Sequence, residues 1–154
     1  MEQGGLVGVL RGNAPAKIDD KGRLKVPNAF RAVITKDHGS DVFVTSLTGQ
    51  SVRIYPMPVW VELEKRLAQV PSTNPARQRF LDRVNFYGQV GELDSQGRVV
   101  VQQRLRESAQ ITGDVDVLGQ QSYLEVWNHD RLVAKLAAEP FTDEDAKALS
   151  DFGI

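Results

Sequence analysis

IDDKGRLKVP, residues 18–27, and LDSQGRVVVQ, residues 93–102, are two writings of one pattern: an aspartate, a glycine three residues on, an arginine directly after it, then alternating apolar positions. Setting Gly22 on Gly97 leaves Asp19/Asp94, Arg23/Arg98, Val26/Val101 and Arg31/Arg106 identical. Apolar character is kept at Ile18/Leu93, Leu24/Val99 and Phe30/Leu105. One repeated Asp-x-x-Gly-Arg could arise by chance, but the flanking matches make duplication the better explanation.

The pattern has a physical reading as a chain reversal. An aspartate opening a turn accepts backbone N–H groups, and a glycine supplies the positive φ that other residues resist. Asp19, Gly22, Asp94, Gly97 and Arg98 are accordingly expected to build turns. Arg23 is different, because a guanidinium held by a neighbouring carboxylate is a preorganised donor fork for phosphate or a guanine edge. Gln96 and Val100 stand where Lys21 and Lys25 stand in the first copy. The first copy is therefore expected to meet a polyanion, through Arg23, Lys21, Lys25 and the nearby Lys17, and the second to serve as scaffold.

Outward from the motif the two halves stay parallel. A helix signal follows each copy, PNAFRAVITKD (27–37) and QQRLRESAQI (102–111). Two β-rich stretches come next, DVFVTSL with VRIYP and DVDVLG with YLEVW. Each half then closes on a helix: PVWVELEKRLAQV, with Val59, Leu63, Leu67 and Val70 at helical spacing, and HDRLVAKLAAE, with Leu132, Val133 and Leu136. Between the halves, Asn74 before Pro75 is expected to cap a linker helix bearing Arg79 and Arg83 one turn apart. After Pro140, Thr142 and Asp145 form a capping-box pattern ahead of Ala146, Leu149 and Phe152. The expected organisation is a first half at 1–71, a linker helix at 72–87, a second half at 88–139 and an acidic tail at 140–154.

Composition narrows the function classes. With 41% apolar and 25% charged residues, no cysteine and no apolar run of membrane length, the 154-residue chain reads as globular, without disulfides or a membrane partner. The start MEQGGLVGVLRG lacks the basic and apolar regions of a secretory signal, which makes the cytoplasm the expected compartment. His38 and His129 have no ligand partner at a recognisable spacing, and no nucleophile elbow or phosphate loop is present. Neither catalysis, metal nor cofactor is expected. Net charge is only −1, yet Arg11 to Lys36 holds seven basic residues against two acidic ones. A nucleic-acid footprint would have to come from this local excess.

LRGNAPAKIDDKGRLKVPNAFR (10–31), NPARQRFLDRVNFYG (74–88) and LDSQGRVVVQQRLRESAQI (93–111) together resemble the MraZ family of bacterial transcription regulators, over Arg11 to about Ala138. The resemblance implies an α+β, β-rich fold: two swapped-hairpin, AbrB-like β-barrel halves related by a pseudo-two-fold axis, with flanking helices. It implies homo-oligomeric rings, commonly octamers, binding short guanine-rich direct repeats in double-stranded promoter DNA ahead of the division and cell-wall genes, at the nucleoid. Asp19 and Arg23, and Asp94 and Arg98, match the family's Asp-x-x-x-Arg, and Arg11 matches its N-terminal Arg-Gly. Gln102 stands where the family usually has proline. A second reading is an AbrB-like antitoxin or interaction module using the acidic tail, although a duplicated motif with a long linker helix suits it poorly.

Overall fold

The computed structural model describes residues 9–154, so the glycine-bearing start and its reading as no secretory signal lie outside the described residues. The first half contributes β1 (Leu10–Ile18), β2 (Arg23–Lys25), α1 (Asn28–His38), β3 (Asp41–Thr45), β4 (Val52–Pro56) and α2 (Met57–Leu67). Helix α3 (Pro75–Phe86) leads to β5 (Gln89–Glu92), β6 (Arg98–Val100), α4 (Gln103–Ala109), β7 (Gly113–Gln121), β8 (Leu124–Asn128), α5 (His129–Ala138) and α6 (Asp143–Ser150). The helix starts follow local chemistry. Asn74 Oδ1 accepts the backbone N–H groups of Ala76 and Arg77, with Pro75 at the first helical position, and Thr142 and Asp145 complete a reciprocal capping box.

The eight strands of the described residues form one antiparallel sheet in the order β5-β3-β4-β8-β7-β1-β2-β6. Its two end strands are joined through the second motif, where Asp94 N–H donates to Arg98 O at 3.0 Å, so the sheet nearly closes into a barrel. The halves are interlocked rather than side by side. Strand β1 of the first half pairs along its whole length with β7 of the second, and β3 of the first pairs with β5 of the second. Two separate lobes, each a strand-helix-strand-strand-helix unit, would leave these edges unpaired. Exchange satisfies them.

The pseudo-two-fold axis is visible in the register. At one end Leu24 opposes Val99, flanked by Arg23↔Val100 and Lys25↔Arg98. At the other Arg53 opposes Glu125, flanked by Val52↔Val126 and Ile54↔Leu124. Leu24, Val26, Val99 and Val101 are fully enclosed and meet Ile34, Leu105 and Val117 in one core fed by both halves. Burial of each such side chain stabilises the fold by roughly 1.5–3 kcal/mol, so the paired motifs are anchored on a fully enclosed part of the core.

A smaller aromatic core distinguishes the halves. Trp60 of α2 stacks on Phe43 at 4.7 Å and meets Tyr55 at 4.9 Å, while Val84 of α3 closes the cluster. In the second half the position matching Phe43 is Asp116, whose carboxylate pairs with His129 Nδ1 at 2.6 Å. Helix α5 buries Leu132 alone.

Candidate nucleic-acid interface

Both motifs fold into the same turn. Asp19 Oδ1 accepts the backbone N–H groups of Lys21 (3.0 Å) and Arg23 (2.8 Å), and Oδ2 accepts Arg23 Nε at 2.7 Å. In the second copy Asp94 Oδ1 accepts Gln96 N–H (2.8 Å) and Arg98 N–H (2.9 Å), and Oδ2 accepts Arg98 Nε at 2.9 Å. These bonds hold the carboxylate in its charged form. The Arg98 backbone N–H is the main cause, and it outweighs partial burial to bring Asp94 down to about 2; Asp19 is lowered for the same reason.

Because these carboxyls lose protons more readily in the folded chain, their contribution is present above the ordinary value of 3.8 and is lost as pH falls through it toward about 2. Asp94→Asn is therefore expected to flatten the acid limb of the stability profile between those values. Urea unfolding of wild type and variant at stepped pH measures this, and parallel acid limbs would refute it.

Glycine is required in each turn. Gly22 has φ +84°, and a Cβ there would lie 2.7 Å from both the Val101 carbonyl oxygen and Arg106 Nε. Gly97 has φ +77°, and its Cβ would meet the flexible side chain of Arg31, at 2.6 Å. Each arginine therefore covers the turn of the opposite half: Arg31 Nη2 donates to Ser95 O at 2.8 Å across the halves, while Arg106 lies against Gly22 and is held there by its own half, Nε donating to Val101 O at 2.9 Å. Their identity in both copies was the sequence signal for this role, which motif chemistry alone did not assign. Both Gly→Ala changes are expected to destabilise by about 1–3 kcal/mol. Gly22→Ala should be the worse because its obstacle includes backbone; thermal denaturation showing the reverse order would contradict the packing.

The outer face of the β2–β6 pair is the candidate site. Leu24 and Val99 point inward, so alternation turns Arg23, Lys25, Arg98 and Val100 outward. Lys25 lies directly opposite Arg98, and Arg23 sits diagonally from Arg98 at roughly 7–8 Å. Like charges opposed across strands weaken a sheet, so stability does not account for this grouping. Only the Nε of each arginine is engaged with its aspartate, and Nη1 and Nη2 of both have no hydrogen-bond partner among the described residues. Two outward amino pairs are thus held in fixed orientation.

The remaining sequence candidates distribute unevenly. Lys21 is exposed on the first turn. Lys17 lines a shallow depression with Lys25, Pro15 and Asn28, and its ion pair to Asp114 at 3.7 Å is too exposed to hold it. Arg11 stands apart, opposite Gln120 and six residues along β1 from Lys17, roughly 20 Å away. Arg98, read from the sequence as scaffold, is brought beside Lys25 by the antiparallel register. Among the described residues no three His, Asp or Glu side chains gather as metal ligands, and no helix is long and apolar enough to cross a membrane.

The profile of a family described as "MraZ protein, putative antitoxin-like" matches residues 9–83 and again 89–152, one match for each half of the barrel. The chain belongs to the MraZ family. Among its MraZ relatives, the protein of Acidobacterium capsulatum is 51% identical over 95% of this chain and all of its own length. That of Koribacter versatilis is 49% identical with the same coverage, and that of Herpetosiphon aurantiacus 39% identical over 89% of this chain and 94% of its own. Each is named a transcriptional regulator MraZ. The tandem MraZ match agrees with the paired turns, whose two arginines occupy equivalent places about the axis.

Proposed function

We propose that this MraZ-family chain is a sequence-specific DNA-binding transcription regulator whose β2–β6 face meets double-stranded promoter DNA, with subunits joined in a ring on short direct repeats ahead of division and cell-wall genes. The observation that carries the reading is the pair of arginines, each clamped through Nε by its own aspartate and each presenting on one face two Nη groups that have no hydrogen-bond partner among the described residues. A guanidinium so held matches the O6 and N7 acceptors of guanine in the major groove or a phosphate oxygen pair. Lys25, Lys21 and Lys17 add phosphate contacts around it, and Arg11, far along β1, would reach a more distant phosphate.

A ring reconciles this patch with a net charge of −1. Several subunits presenting one modest patch each to successive repeats gain affinity by avidity. In the same proposal the two halves, 1–71 and 88–139, are joined by the linker helix at 72–87, and the protein works in the cytoplasm at the nucleoid without cofactor or catalysis. An antitoxin built from single motifs would obtain its second half by dimerising, whereas this chain carries both.

Gel-shift titration with duplexes from upstream of the protein's own gene, against a scrambled duplex of equal length, tests the reading. The expected preference for the upstream DNA is about 1,000-fold or more at physiological salt. Equal binding to both would overturn it.

A further inference from the structure

The end of the chain is folded but unattached. Helix α6 has a complete capping box and no buried residue, and eight residues are too few for an isolated helix to persist in water. Its apolar positions, Ala146 and Leu149, continue into Phe152 and Ile154, the last two about four-fifths exposed. The same segment carries Asp143, Glu144, Asp145 and Asp151 against Lys147 alone. Elsewhere on the chain there is a depression between the β3–β4 loop and α3, lined by Leu47, Thr48, Asp82, Arg83, Phe86 and Tyr87, where Arg83 and the neighbouring Arg79 and Arg104 outnumber the single acid Asp82. Phe86 is half exposed, the Arg104 guanidinium lies 4.5 Å over its ring, and Arg79 stands one turn before Arg83.

We propose that the acidic, aromatic tail from α6 to Ile154 docks into the Leu47–Arg83–Phe86 depression of a second copy of this chain. The tail's Leu149 and Phe152 fill the apolar floor, and its carboxylates face Arg83, Arg79 and Arg104. Opposed charge and matched aromatic surface select this occupant. Such a contact joins two different patches, so it is head-to-tail, and a head-to-tail contact closes into rings where a self-complementary one stops at a dimer. The inference rests on the ring reading above and supplies its interface.

The test uses full-length variants, the tail double Leu149→Glu/Phe152→Glu and the groove variant Arg83→Glu, with mass read by light scattering and folding by circular dichroism. None of these side chains is buried, so folded spectra are expected. Each variant alone should run at the mass of one chain. Mixed in equal amounts they should form a two-chain complex, because each retains the surface the other lacks. A wild-type ring with either variant unchanged in mass, or variants that stay single when mixed, would overturn the docking alone. A wild type that is itself a single chain would overturn the ring reading and the docking together.

Discussion

Replacing Arg23 by alanine is expected to lower affinity for the cognate duplex by about 10- to 100-fold, the loss of one bidentate contact worth roughly 1–3 kcal/mol. The fold should survive, because Asp19 Oδ1 still accepts the Lys21 and Arg23 backbone N–H groups that define the turn. Arg98→Ala should cost a similar factor, since its guanidinium is clamped in the same way on the same face. Lysine should not rescue either position: it offers no Nε donor to the aspartate and no planar fork to the ligand. Fluorescence anisotropy with labelled duplex measures all four variants. An Arg23→Lys protein that binds as wild type would show that charge alone is read.

Leu24→Ala is expected to have the largest effect on stability, about 2–5 kcal/mol. Leu24 is fully enclosed and sits on the pseudo-two-fold axis against Val99. For a chain of this size the melting temperature should fall by roughly 4–20 °C. Val99→Ala should cost less, and the double variant should depart from the sum of the singles because the two share one cavity. A second consequence follows for binding. The Leu24–Val99 contact fixes the spacing of Arg23 and Arg98, so affinity should drop even under conditions where Leu24→Ala remains folded. Normal affinity in the folded variant would show that the two arginines need no common frame.

Much of this arrangement was legible in residue pattern, and what was not has identifiable causes. The turns, the Asn74 and Thr142 caps and the contrast between a basic start and an acidic tail are local, and local chemistry is written in neighbouring residues. Strand β1 was hidden, because LRGNAPAKI carries Gly12, Asn13 and Pro15 and no strong β preference. It is made a strand by pairing with β7; only Ile18 also pairs with β2, so most of β1 has an outer edge where the missing N–H of Pro15 breaks no ladder bond. The interlocking of the halves was equally hidden, since alternation marks a strand without naming its partner. That partner choice set Arg98, which braces the Asp94 turn, opposite Lys25. It also set Arg31 over Gly97 and Arg106 over Gly22, contacts between halves that the shared identity of the two arginines hinted at without locating.

The central claim is that the two copies of the turn present one DNA-facing surface. Its most direct measure is the salt dependence of binding, with log K followed against log salt for wild type, Arg23→Ala and Arg98→Ala on the same duplex. Each phosphate contact contributes about −0.9 to the slope. A shared surface predicts that both substitutions make the slope shallower, by about one unit or more each. A slope that changes for Arg23→Ala and stays at the wild-type value for Arg98→Ala, with unchanged affinity, would contradict it.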